Sequence, residues 1–197
     1  DIDGHVATLR IAAPGPHMAS IVLAALAGAV TMGIGPEDAA AALAGFTPGA
    51  GRGARRVIAV AGGSALLLDE SYNASPVAVR AALHVLALQP ARRRVVVLGD
   101  MLELGAHGAA EHAGLAPAVA GVADALFTCG ALMRGLSEAV PAGLRAVHAA
   151  DSAALAPLVA AALRDGDAVL VKGSLGSRMK TIVQALEPQD TTAGGAR

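Results

Sequence analysis

At 197 residues, 54% hydrophobic but only 2% aromatic, the chain can bury one generous core of Ala, Val and Leu, a composition suited to thin helices packed on a parallel sheet. A formal net charge of -1, with no long run of one sign, excludes the electrostatic footprint of a protein that binds nucleic acid or an anionic membrane. The single cysteine, Cys129, excludes an internal disulfide framework and reads as a small core residue in a reducing, cytoplasmic setting.

In chain order, residues 5–12 alternate weakly and read as a strand that ends at Pro14-Gly15-Pro16. The apolar run over residues 18–32 is too short, and too rich in Ala and Gly, to cross about 30 Å of hydrocarbon, so it reads as a buried helix rather than a membrane insertion. A second helix spans residues 37–44, with Pro36 at its start. One strand and two helices cannot close a core, so residues 1–47 read as the incomplete end of one domain, needing a neighbour. Gly and Pro concentrate just after it, which makes residues 48–53 a hinge.

From residue 54 to 187 strand and helix alternate. Strands are expected at residues 56–61, 65–69, 94–99, 125–129, 145–148 and 168–171, and helices at 76–88, 109–121, 132–139, 152–164 and 177–186. That rhythm predicts an α/β fold with a doubly wound, mostly parallel, Rossmann-like sheet. The tail, residues 188–197, reads as disordered.

In such a sheet ligands bind beyond the carboxyl ends of the strands. Three turns there carry polar residues. Asp69-Glu70-Ser71-Tyr72-Asn73 follows an apolar strand; Ser75 and Pro76 are explained as a helix cap, which leaves Asp69, Tyr72 and Asn73 for a ligand. In Gly99-Asp100-Met101-Leu102-Glu103, the two carboxylates can bind an amine or a metal-bound water, or simply begin a loop. Lys172-Gly173-Ser174-Leu175-Gly176-Ser177-Arg178 combines backbone freedom with two cations, a pattern suited to a phosphate or carboxylate. There is no Walker A loop, no zincin-type histidine spacing and no nucleophile elbow. His107, Glu111 and His112 read as a solvated helix face, and His84 and His148 as structural.

These strings, with Gly15-Pro16-His17 and Gly51-Arg52-Gly53, resemble the Mur ligases over residues 10–187, and within them the branch that joins D-Ala-D-Ala to UDP-N-acetylmuramoyl-tripeptide. The resemblance implies the C-terminal ligase domain over residues 54–187, preceded by the end of a central ATPase domain. It also implies an ATP- and Mg²⁺-dependent reaction through an acyl phosphate, in a cytoplasmic monomer, with Mg²⁺ held mainly outside this chain. By the same resemblance, Arg52 and Lys172 are catalytic, and Asp69, Tyr72, Asn73, Arg52 and His17 face ATP. Lys172, Ser174, Asp100 and Glu103 are then expected at the acceptor substrate. The chain departs from the family where Asn residues approach adenine: Met18 and Ile21 stand there. Two rivals stay open, a non-catalytic nucleotide- or partner-binding module and a related ligase with another acceptor.

Overall fold

The computed structural model describes residues 8–13, 15–144 and 146–187. The expected tail lies outside the described residues, as do residues 5–7 of the expected first strand. Residues 8–12 form no strand, because no described strand offers that segment a ladder.

Two helices open the chain, α1 (Pro16–Thr31) and α2 (Pro36–Ala44), each started by a proline whose missing N–H costs nothing in a first turn. The first helix is not the buried one its composition predicts. No residue of α1 is buried, because among the described elements only α2 lies along it extensively. No helix among the described residues is long and apolar enough to cross a membrane.

The sheet then follows: β1 (Ala54–Val60), β2 (Gly63–Glu70), α3 (Pro76–Ala87), β3 (Arg93–Gly99), α4 (Gly108–Ala113), α5 (Ala116–Ala120), β4 (Ala125–Cys129), α6 (Met133–Ala139), β5 (Ala146–Ala149), α7 (Ser152–Ala162), β6 (Asp167–Lys172) and α8 (Lys180–Leu186). The spatial order is β1-β2-β6-β3-β4-β5. Only the β1–β2 hairpin is antiparallel, so the mostly parallel sheet holds. The single helix expected over residues 109–121 is two short ones, because Pro117 starts α5 afresh where Gly114 ends α4. The last helix begins at Lys180 instead of 177, since Arg178 takes a left-handed backbone, φ 52°.

Side chains alternate across the pleat and build two cores. Leu68, Val96, Leu98, Leu126 and Leu170 pack under α3, α5 and α6, while Leu67, Val95, Val97, Phe127, Val169 and Val171 pack under α7 and α8. The loops that follow β2 and β3 therefore leave toward one face and the loop that follows β6, between them, toward the other. A crevice opens at that parting of directions.

At the amino ends of the central strands an ion pair holds β3 to β6. Arg93 donates from Nε and Nη2 to the two oxygens of Asp167 (3.0 and 2.6 Å), which is 3% exposed, and this contact raises the guanidinium pKa further. Asp167→Asn should destabilise the fold by about 3 kcal/mol, the scale of an uncompensated buried charge, read as a shift in urea midpoint. A change under about 0.5 kcal/mol would show the pair to be dispensable.

Candidate functional site

Residues 48–53, where a hinge is expected, are stitched to β2 before any ligand enters. Gly53 N–H donates to the Asp69 carbonyl (2.9 Å) and Tyr72 N–H to the Gly51 carbonyl (3.1 Å). Gly51 adopts φ 75°, and a Cβ there would stand 3.0 Å from Tyr72 Cβ, so the close approach needs glycine. The Asp69 carboxylate completes the stitching. It is 2% exposed and accepts from Gly51 N–H (2.9 Å), Arg56 Nη2 (2.9 Å), Ser71 N–H (3.2 Å) and Ser71 Oγ (2.6 Å). Four donors saturate it, and a ribose hydroxyl would have to displace one of them.

Beside this hinge lies a cleft of about 420 Å³, within the range of small-molecule sites, lined by His17, Arg52, Glu70, Tyr72, Asn73 and Lys172 among others. Its floor is an ion pair set by strand register. Glu70 and Lys172 end the parallel strands β2 and β6 as direct partners. Lys172, 4% exposed, donates to Glu70 Oε2 (3.2 Å) and to the Asn73 carbonyl (2.9 Å), which leaves one ammonium proton for a ligand. The Arg52 guanidinium lies 4.1 Å over the Tyr72 ring and, among the described residues, makes no ion pair. Two cations thus reach one cleft, one buried and fixed, the other exposed in the turn before β1.

The remaining expected site residues are dispersed. Asp100 accepts from the Leu132 and Met133 amides (3.3 and 2.8 Å) at the start of α6 and lines a second cavity of about 330 Å³ with Leu102, Asp151, Ser177 and Arg178. Gly130 makes room for it, since a Cβ there would fall 2.4 Å from the Asp100 carboxyl carbon. Ser174 is buried, its Oγ accepts from Leu102 N–H (2.8 Å), and it lines neither cavity. Glu103 is exposed at φ 68° and also lines neither. Sequence reasoning misses Glu70 as a site residue; its place beside Asp69 is visible, but its pairing with Lys172 depends on strand order.

His112 also departs from the solvated face expected for it. It is fully buried, its Nε2 accepts from Met101 N–H (2.9 Å) and its Nδ1 lies 2.6 Å from the Gly108 carbonyl, so it braces the loop after β3. Among the described residues no group of three or more His, Cys, Asp or Glu side chains can hold a metal ion. Burial and the neighbouring Arg134 lower the His148 pKa, and its Nδ1 lies 2.9 Å from Thr128 Oγ1.

Cys129 lies on β4, 1% exposed, with its thiol pKa pushed up to about 12 chiefly by burial and secondarily by Asp100 and Asp151. It should resist a thiol reagent at pH 8 while folded and react fully in denaturant, since the thiolate is the nucleophile. Rapid labelling of the native protein would contradict this burial.

A family model described as Mur ligase, glutamate ligase domain, matches residues 55–175. The chain is 33% identical over 208 residues to the UDP-N-acetylmuramoyl-tripeptide--D-alanyl-D-alanine ligase of Mycobacterium tuberculosis strain H37Rv, an alignment covering 94% of this chain and 40% of that protein. The Escherichia coli K12 protein of the same name is 35% identical over 182 residues, covering 90% and 38%. The chain thus spans about two fifths of the length of these curated relatives. Among solved structures, MurF from Acinetobacter baumannii superposes with a TM-score of 0.76 at 28% identity, covering 90% of this chain and 39% of that one. MurF ligase from Thermotoga maritima, solved in complex with ADP, superposes at 0.73 and 23% identity, a likeness of fold.

Proposed function

The chain belongs to the Mur ligase family, and on that premise we propose that it is the C-terminal part of an ATP-dependent ligase joining D-Ala-D-Ala to UDP-N-acetylmuramoyl-tripeptide for peptidoglycan, in a cytoplasmic monomer. The observation that carries the reading is the convergence of Arg52 and Lys172 on one cleft at the carboxyl ends of β2 and β6. ATP supplies the phosphoryl group that turns the peptide carboxylate into an acyl phosphate; the dipeptide amine attacks that carbonyl, the amide bond forms and inorganic phosphate leaves.

This chain's part is electrostatic and positional. Lys172 holds a fixed positive charge in a buried place, where it stabilises phosphate oxygens more than it would in water. Arg52 brings a planar fork that can grip two oxygens when the hinge closes. Asp69 fixes the hinge by holding the Gly51 amide, so it governs where Arg52 begins its swing; it remains a ribose candidate if the Ser71 hydroxyl yields its place. Tyr72, Asn73 and His17 line the nucleotide side. Asp100, with Ser177 and Arg178, is assigned to the acceptor side through the second cavity. Ser174 supports that side by fixing Leu102, and Glu103 stands at its rim loop. Mg²⁺, which the reaction requires, is read as held mainly by residues outside this chain. Residues 1–47 are read as the end of the central ATPase domain, whose remainder would cover α1.

The test is phosphate release by the full-length protein. Release should require ATP, the UDP-tripeptide and D-Ala-D-Ala together. Equal release with another amino acid or dipeptide in place of D-Ala-D-Ala would reject the assigned acceptor.

A further inference from the structure

Arg52, assigned above to the phosphates, a reading on which this inference rests, sits in a turn whose position is set from behind. The residue before it, Gly51, is pinned at both backbone polar atoms: its N–H donates to Asp69 Oδ2 (2.9 Å) and its carbonyl accepts from Tyr72 N–H (3.1 Å). Asp69 divides its bonds by oxygen. Oδ1 takes the Ser71 amide and hydroxyl, and Oδ2 takes the Gly51 amide and Arg56 Nη2 (2.9 Å). Arg56, on β1, is anchored in turn at the other prong of its fork, where Nη1 pairs with Glu187 Oε1 just past α8. Its Nε is buried without a partner, so the two Nη groups carry the bonding of this guanidinium among the described residues.

Arg56 and Glu187 line a separate cavity of about 200 Å³, together with Gly51, Tyr72, Lys180 and Val183, and neither lines the cleft that Arg52 and Lys172 share. Open space therefore lies behind the turn, and polar contacts hold it in place. Asp69 is buried, and Arg56 is the one cation paired with it among the described residues. Without that charge the carboxylate is left uncompensated and has to draw in water or turn away from the Gly51 amide. We propose that Arg56, clamped by Glu187, is a positioning residue for the ligase reaction: through Asp69 Oδ2 it sets the Gly51 amide, and so the place from which the Arg52 guanidinium meets the phosphates. Misplacing a reacting geometry by about 1 Å costs about 10²-fold in rate even when the substitution lies far from the chemistry.

The experiment is a double-mutant cycle in the full-length protein, read as kcat/KM for ATP in phosphate release with both other substrates present, alongside thermal unfolding. Arg56→Met keeps the aliphatic stem and removes the charge. It is expected to lower kcat/KM by about 10- to 100-fold when Arg52 is present, and by under about threefold in an Arg52→Ala background. A merely structural arginine would lower the folded fraction and multiply the loss equally in both backgrounds, so equal losses overturn the proposal. Glu187→Gln, at a side chain 33% exposed, should leave the fold intact and weaken the far anchor. It should cost at least about threefold, the difference between a charge-assisted and a neutral hydrogen bond, and that loss should also vanish in Arg52→Ala. Full activity in Glu187→Gln would overturn the clamp. Activity retained in Arg52→Ala by itself would sink the phosphate reading of the cleft, an outcome distinct from equal losses around an arginine that matters.

Discussion

Lys172→Met is expected to lower kcat of the full-length protein in the proposed ligase reaction by about 10²- to 10³-fold, the scale of removing one preorganised charge or donor from a developing oxyanion. The Lys172 side chain is 4% exposed and its ammonium is fixed by Glu70 and the Asn73 carbonyl, so it needs no reorganisation when phosphate charge arrives. Met fills much of the same volume without the charge. The orphaned Glu70 side chain keeps 24% exposure to solvent, so the stability loss should stay below the roughly 3–5 kcal/mol of a fully buried broken pair. Lys172→Arg should not restore turnover, because a planar fork cannot take the place of a point charge in a buried slot between two fixed acceptors. Steady-state phosphate release together with thermal unfolding separates the two effects. Near-normal kcat in a folded Lys172→Met protein would remove Lys172 from the chemistry.

Arg52→Ala is expected to lower kcat/KM by a similar factor of about 10² or more, with a different signature. Arg52 is exposed, and its contact with the Tyr72 ring, 4.1 Å away, contributes only about 0.5–1 kcal/mol at such a site. Stability should therefore barely move while activity falls. Arg52→Lys should recover a minor part, since it keeps the charge and loses the two-pronged geometry. Activity retained within a fewfold in Arg52→Ala would mean that the hinge cation does not reach the phosphates.

Much of this is legible in local pattern. Apolar strand runs at β2, β3, β4 and β6, each followed by helical spacing, predict strand, helix and a mostly parallel sheet over residues 54–187, because side-chain periodicity is a property of neighbours along the chain. The cluster of glycines near residue 51 marks a glycine-dependent turn, and φ 75° at Gly51 is the physical demand behind it. The break in the helix at Gly114 and Pro117 is equally local, but apolar spacing continues across it and hides it.

What the chain by itself determined is therefore the class of fold, the positions of the polar turns and the residue types offered to a ligand. Tertiary structure decided which of those residues meet. Lys172 joins Glu70, 102 positions earlier, only because β6 inserts beside β2. The same crossover leaves Asp100 in a different cavity from Lys172 and lets the Asp69 carboxylate be filled by donors from the hinge, from β1 and from its own turn. Helix and strand signals are short-range and survive in a linear reading. The satisfaction of a buried charge depends on which donors come within about 3 Å, and that is known only when strand order brings distant segments together.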